Sequence, residues 1–265
     1  MPINISSKDN ERVKYTKSLL KSKNRQKESK YIIEGYRILT LAIECNADLD
    51  YVFINETFED KEEHQNFLKR LDDNNIKVFK TTNKIFKDLV DTENTQGILG
   101  VIKFKERKIE HNINNKDKFV LILDRIQDPG NMGTIIRTAD AAGVDSIIAL
   151  KGSVDIYNPK VIRSTMGSIF DMNIIHCTQE ECIKTLKEKD FKIVSSYLDT
   201  DNYYHETNYG NKIALVIGNE ANGVNDDLIN QSDILVKIPI YGNAESLNAA
   251  ISSAILMYEI KKYLG

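Results

Sequence analysis

Residues 119–133 read Phe119-Val120-Leu121-Ile122-Leu123-Asp124-Arg125-Ile126-Gln127-Asp128-Pro129-Gly130-Asn131-Met132-Gly133, and this stretch decides the fold. Five apolar residues in a row, with no polar alternation, suit a parallel strand covered on both faces. Asp128-Pro129-Gly130 is a turn, and Asn131 is suited to cap the helix that follows. Gly133 and Arg137 lie four residues apart, on one face of that helix. A glycine in a first helical turn costs about 1 kcal/mol against alanine, so something needs the space, and the Arg137 guanidinium is the candidate. The alternative is a plain cap with an Arg137–Asp140 surface pair. A strand, a turn and a helix open an α/β sheet, whose ligands collect beyond the carboxyl ends of the strands.

Further apolar runs follow at 146–150, 192–194, 213–217 and 234–238. Helices are predicted between and after them at 131–142, 159–170, 179–189, 225–231 and 246–264. In the last, Leu247, Ala250, Ile251, Ala254 and Tyr258 share one face at 3.6-residue spacing. Upstream, strands are predicted at 31–35, 51–54, 76–79 and 97–102. Helices are predicted at 8–23, with Val13, Leu19 and Leu20 inward, and at 36–45, 61–74 and 85–90. This alternation gives a small α/β domain over residues 1–104. Residues 105–118, nearly free of apolar side chains, are expected to be a linker, and 119–265 a second α/β domain with a parallel sheet.

Hydrophobic residues make up 41% of the 265 and charged residues 28%, the balance of a globular protein. No apolar run reaches the ~18–20 residues that span a bilayer, so no membrane segment is expected. The amino terminus lacks the apolar stretch of a secretory signal, and three cysteines are too few for a disulfide framework, which points to a reducing cytoplasm. His176, Cys177 and Cys182 match no zinc spacing, and no metal is expected.

The net charge of −3 alone argues against nucleic acid, but it is unevenly spread. Residues 1–30 carry nine basic residues, among them Lys14, Lys17, Lys21 and Arg25, against Asp9, Glu11 and Glu28. That leaves +6 here and −9 over the remaining 235 residues. A basic end on an acidic body is either an arm that meets phosphate or a solvated helix face.

Two more segments follow strand ends. After 213–217 comes Gly218-Asn219-Glu220-Ala221-Asn222-Gly223, whose glycines permit close backbone approach around a carboxylate. It carries neither phosphate-loop pattern, which removes a nicotinamide-dinucleotide dehydrogenase. After 234–238 comes Pro239-Ile240-Tyr241-Gly242-Asn243-Ala244-Glu245-Ser246-Leu247-Asn248, with Ser246 a natural cap for the last helix.

Taken in order, Asn131-x-Gly133-x-x-x-Arg137, Ile217-Gly218-Asn219-Glu220-x-x-Gly223 and Ile238-Pro239-x-x-Gly242-x-x-x-Ser246-Leu247-Asn248 resemble the three motifs of the SpoU (TrmH-like) RNA 2′-O-ribose methyltransferases, of the SPOUT class. Residues 1–104 resemble the ribosomal-protein-like substrate-binding domain that many members carry. The resemblance implies an S-adenosylmethionine-dependent enzyme acting on rRNA or tRNA as a homodimer. It also implies a C-terminal domain tied in a deep trefoil knot, which sequence rules alone would not propose. By the same resemblance the cofactor lies near Gly218, Ile238, Ile240 and Leu247. Arg137 faces the reacting ribose, and Asn131, Glu220, Ser246 and Asn248 shape the site. Lys14, Lys17, Lys21, Arg25 and Arg163 are expected to bind RNA, Arg163 as a phosphate or dimer contact. The alternative is a non-catalytic RNA-binding or ribosome-assembly protein on the same fold; the intact Arg137, Glu220, Ser246 and Asn248 argue against it.

Overall fold

The computed structural model describes residues 2–265 and divides into two compact units. The first takes the chain up to Lys105 together with Tyr157–Phe170; the second takes Glu106–Ile156 and Asp171–Gly265.

The first unit runs β1 (Ile3–Ile5), α1 (Glu11–Ser18), α2 (Ser22–Glu28), β2 (Lys30–Glu34), α3 (Tyr36–Glu44), β3 (Leu49–Ile54), α4 (Glu62–Asp73), β4 (Lys77–Thr81), α5 (Asn83–Lys87) and β5 (Ile98–Lys103). Its sheet has the order β1-β4-β3-β5-β2; β1, β4 and β3 are parallel, and β5 is antiparallel to both β3 and β2. Val13 and Leu19 pack with Phe53, Phe79, Phe86 and Leu89 over one face of it. Each such buried side chain contributes about 1.5–3 kcal/mol.

The single helix expected over 8–23 is two helices. The chain breaks after Ser18 because Arg25, 2% exposed, folds back and donates from Nη1 to the carbonyls of Leu19 (2.9 Å) and Leu20 (2.8 Å). Those oxygens have no intrahelical donor at a helix end, and the guanidinium satisfies them. Val13 and Leu19 are buried as expected, and Leu20 is half-buried.

The second unit starts in the stretch expected as a linker. Ile109–Asn112 forms a helical turn, α6, and Ile109 and Ile113 are buried in the core. Two isoleucines four apart were enough to fasten an otherwise polar segment. Then come β6 (Phe119–Leu123), α7 (Pro129–Ala141) and β7 (Ser146–Leu150). α8 (Pro159–Thr165) groups with the first unit and packs on β2. It stops short of the expected 170 because Met166 turns left-handed (φ 52°) and Gly167 follows with φ 106°. The chain continues through β8 (Ile174–Cys177), α9 (Gln179–Glu188), β9 (Lys192–Ser196), β10 (Ile213–Ile217), α10 (Asp226–Gln231), β11 (Ile234–Val236) and α11 (Ala249–Leu264).

These six strands form a wholly parallel sheet in the order β11-β9-β10-β6-β7-β8. All five β6 residues are buried. Val120 and Ile122 join the core under α6, α9 and α10, and alternation turns Leu121 and Leu123 to the opposite face. α7 and α11 pack against one another and bury Met132, Ile135, Ile136, Leu256, Met257 and Ile260. The face expected to hold Leu247, Ala250, Ile251, Ala254 and Tyr258 is split: Ala250 is buried, Leu247 precedes the helix, and Ile251 (53% exposed) and Tyr258 (54%) point outward. No helix among the described residues is long and apolar enough to cross a membrane.

Candidate active site

Three loops leave the carboxyl ends of β6, β10 and β11, and hydrogen bonds join them. Helix α7 is capped by Asp128, whose Oδ1 accepts from the Asn131 N–H at 2.7 Å. The expected cap, Asn131, therefore has its side chain free for other partners. Its Nδ2 donates to Glu220 Oε1 at 3.0 Å, and its Oδ1 accepts from Asn248 Nδ2 at 2.9 Å. Ser246 is likewise not the cap of α11. Asn248 is, its Oδ1 accepting from the N–H groups of Ala250 (2.9 Å) and Ile251 (3.3 Å).

Glu220 also accepts the backbone N–H groups of Gln127 and Asp128, both at 3.2 Å. Burial raises the Glu220 pKa, but the Asn131 amide and the backbone N–H donors outweigh it and hold the carboxyl below its ordinary value. Glu220 is thus an anion at neutral pH, with its lone pairs committed to the loop after β6.

The loop that carries Glu220 closes on itself. Asn219 and Gly223 exchange N–H···O bonds at 3.0 and 2.9 Å, and Gly223 takes φ 67°. A Cβ at Gly218 would collide with the backbone of Gly223 and Val224, so only glycine fits this neck.

Asn131, Glu220 and Asn248 are thus brought together. Arg137 and Ser246 are not part of that chain of hydrogen bonds. Both are exposed, and neither side chain makes a hydrogen bond or ion pair among the described residues, so Arg137 does not pair with Asp140. Gly133, one turn before Arg137, is buried. Of the residues expected around a cofactor, Gly218 is buried, Ile238 and Ile240 are half-buried and Leu247 is exposed. Every residue from 241 to 248 is exposed. Sequence alone gives Gln127 no role, Asp128 only a turn and Asn219 no chemistry, because backbone donors and loop-closing amides leave no compositional mark.

The expected RNA-binding residues lie in the first unit. Lys14 and Lys17 are exposed, pairing with Asp9 (3.0 Å) and Asp88 (3.8 Å). Lys21 is exposed, and Arg163 pairs with Asp91 at 3.8 Å beside a small cleft lined by Leu20, Leu89 and Val90. Arg25 is a correction: its guanidinium is buried on the carbonyls of Leu19 and Leu20 and does not face solvent.

A model of the SpoU rRNA methylase family matches residues 118–258, and one of the MRM3-like substrate binding domain matches residues 10–100. The chain is 31% identical over 257 residues to the 23S rRNA (guanosine(2553)-2'-O)-methyltransferase RlmP of Bacillus subtilis, across 97% of this chain and 98% of that one. An AdoMet-bound rRNA methyltransferase from Sinorhizobium meliloti superposes with a TM-score of 0.89 at 26% identity, covering 99% of this chain and 98% of the other. A structure described as an RNA 2'-O ribose methyltransferase gives 0.82 at 27% identity, with 98% and 99% covered. The family model and these relatives make the protein an S-adenosylmethionine-dependent RNA methyltransferase, with the parallel α/β sheet and joined strand-end loops described above. The chain belongs to the SpoU rRNA methylase family.

Proposed function

We propose that this protein methylates a ribose 2′-hydroxyl of 23S rRNA, in the cytoplasm and as a homodimer. The observation that carries the reading is the chain Asn248–Asn131–Glu220, which ties the three motif loops into one site. The kinship with the Bacillus subtilis enzyme across nearly the whole chain supports the choice of RNA.

The residues present fit S-adenosylmethionine. Ile238, Ile240 and Leu247 leave apolar surface uncovered after β11, as an adenine ring requires, and the Gly218 neck presents backbone close to any ligand. Bound there, it supplies an electrophilic methyl group. The protein's part is to hold the hydroxyl in line and to stabilise its developing charge. Arg137 is assigned the second task, with a phosphate beside the ribose: its pKa, above about 12, makes it a fork of donors and a poor base. Glu220, held below its ordinary pKa by its donors, is a poor proton acceptor too, and its task is to fix Asn131 and the loop after β6. Ser246 and Asn248 are assigned to the same site, in the segment that the knot expected of this family would thread.

The first unit is assigned to substrate binding, with Lys14, Lys17, Lys21 and Arg163 on phosphates. The uncovered Ile251 and Tyr258 on α11 support the homodimer.

The test is methyl transfer from labelled S-adenosylmethionine to RNA from cells that lack this gene, with 2′-O-methylation mapped in the product. One ribose of 23S rRNA is expected to be labelled. No incorporation into any RNA overturns the catalytic reading, and label confined to tRNA overturns the assignment to 23S rRNA.

A further inference from the structure

Arg125 sits just behind the site with a backbone that an L-residue seldom adopts, φ 56°. Such a conformation persists where its surroundings over-determine it, and here they do. The guanidinium grips Asp124 with both Nε and Nη2 at 2.9 Å. That carboxylate is 3% exposed and also accepts the Asn225 N–H at 2.8 Å, so the half-exposed Arg125 side chain is held on a buried partner.

From the anchor Arg125 reaches the Glu220 loop at both of its ends. Its carbonyl accepts from Asn219 Nδ2 at 2.9 Å, and Asn219 Oδ1 in turn accepts the N–H groups of Ala221 and Asn222, both at 3.0 Å. Its Nη2 approaches the Gly223 carbonyl at 3.4 Å. Glu220 lies between these two points of attachment. The arginine stem is also closely fitted, for a Cβ at Gly152 would lie 3.2 Å from Arg125 Cγ.

We propose that Arg125 is a positioning residue for methyl transfer, clamping the 219–223 loop so that the Glu220 carboxylate meets Asn131 and the N–H groups of Gln127 and Asp128. The proposal rests on the place given to Glu220 in the catalytic site. Arg125 shares no hydrogen bond with the Asn131 or Asn248 side chain; it acts on Glu220 through the loop's two ends.

The experiment uses the full-length protein, S-adenosylmethionine and total RNA from cells lacking the gene. Arg125→Ala is expected to lower kcat about tenfold while the Kd for S-adenosylmethionine changes less than about threefold. Arg125→Gly keeps the left-handed backbone and the carbonyl that holds Asn219 but deletes the guanidinium that holds Asp124 and reaches Gly223, and it should show the same kcat loss in a well-folded protein. In a Glu220→Ala background, adding Arg125→Ala should cost nothing more, because both changes remove one arrangement. Independent, multiplying losses, or wild-type kcat in Arg125→Gly, overturn the positioning role alone. Wild-type kcat in Glu220→Ala overturns the role given to Glu220 and the proposal with it.

Discussion

Asn131 and Glu220, 89 residues apart in the chain, share a hydrogen bond of 3.0 Å, and the same amide accepts from Asn248 at 2.9 Å. The amide has one donor end and one acceptor end, and each is matched: the carboxylate takes the donor and Asn248 supplies the other. This polarity fixes which way round Asn131 sits.

Reversing one end of the relay should therefore break it without unfolding the protein. In Asn131→Asp two carboxylates face each other and the bond to Glu220 is lost, so methyl transfer is expected to fall by about 10- to 100-fold with a stability change of about 1 kcal/mol or less. Steady-state kinetics and a thermal melt check both halves. A mutant with unaltered kcat would remove Asn131 from the site.

The relay also has a pH signature. The Glu220 pKa is depressed in the folded protein, so the stability it contributes is present above the ordinary carboxyl value and is lost as pH falls through its folded value. Asn131→Ala removes the side-chain donor, leaving burial less opposed, and the pKa rises. The acid limb of activity, and of loop stability, is then expected to move to higher pH than in the wild type. Coincident acid limbs in the two proteins would show that the Asn131 bond does not hold Glu220 ionised.

How much of this could be read from sequence follows from the range of the forces involved. The continuous apolar runs at 119–123 and 213–217 announce buried parallel strands because burial on both faces leaves no room for polar residues. β8, with His176 exposed at its edge, and the three-residue β1 carry too little of that signature. Local sequence favours Asn131 and Ser246 as caps where the structure uses Asp128 and Asn248, since each pair offers two polar side chains within reach of one helix start. Asn131 is instead engaged at long range by Glu220 and Asn248, which local sequence does not show. Arg25 failed for the same reason. Its charge is visible in the sequence, and the two helix-end carbonyls that bury it are not.

That distinction separates the basic residues of 1–30 by experiment. Lys14, Lys17 and Lys21 are exposed, so changing all three to Gln should weaken RNA binding, flatten its dependence on salt and leave the melting temperature nearly unchanged. Arg25→Ala strands the carbonyls of Leu19 and Leu20 and should cost about 1–3 kcal/mol of stability. Filter binding at several salt concentrations, beside denaturant titration, reads both. An Arg25→Ala protein of full stability would contradict the buried geometry.

Ile251 and Tyr258 lie on the side of α11 away from its packing against α7. Two large apolar groups in water at this spacing suit contact with a second copy. Ile251→Glu with Tyr258→Glu buries no charge in the monomer, so the fold should survive while sedimentation falls from twice the 30.2 kDa chain mass to one. A wild-type protein that sediments as a single chain at micromolar concentration would dismiss the homodimer.

Arg137 gives the sharpest separation between binding and chemistry. It is exposed on α7, one turn after the buried Gly133, and its side chain makes no hydrogen bond or ion pair among the described residues, so no contact of the fold depends on its charge. Arg137→Lys keeps the charge and loses only the planar fork that can hold a phosphate and an alkoxide together. If charge alone were needed, the lysine protein would work. If the fork is needed, kcat should fall about 100-fold or more, while the Kd for S-adenosylmethionine and the melting temperature stay at their wild-type values. Turnover at the wild-type rate in Arg137→Lys would end the role assigned to the guanidinium. A kcat loss accompanied by an equal loss of cofactor affinity would move Arg137 from the ribose to the cofactor.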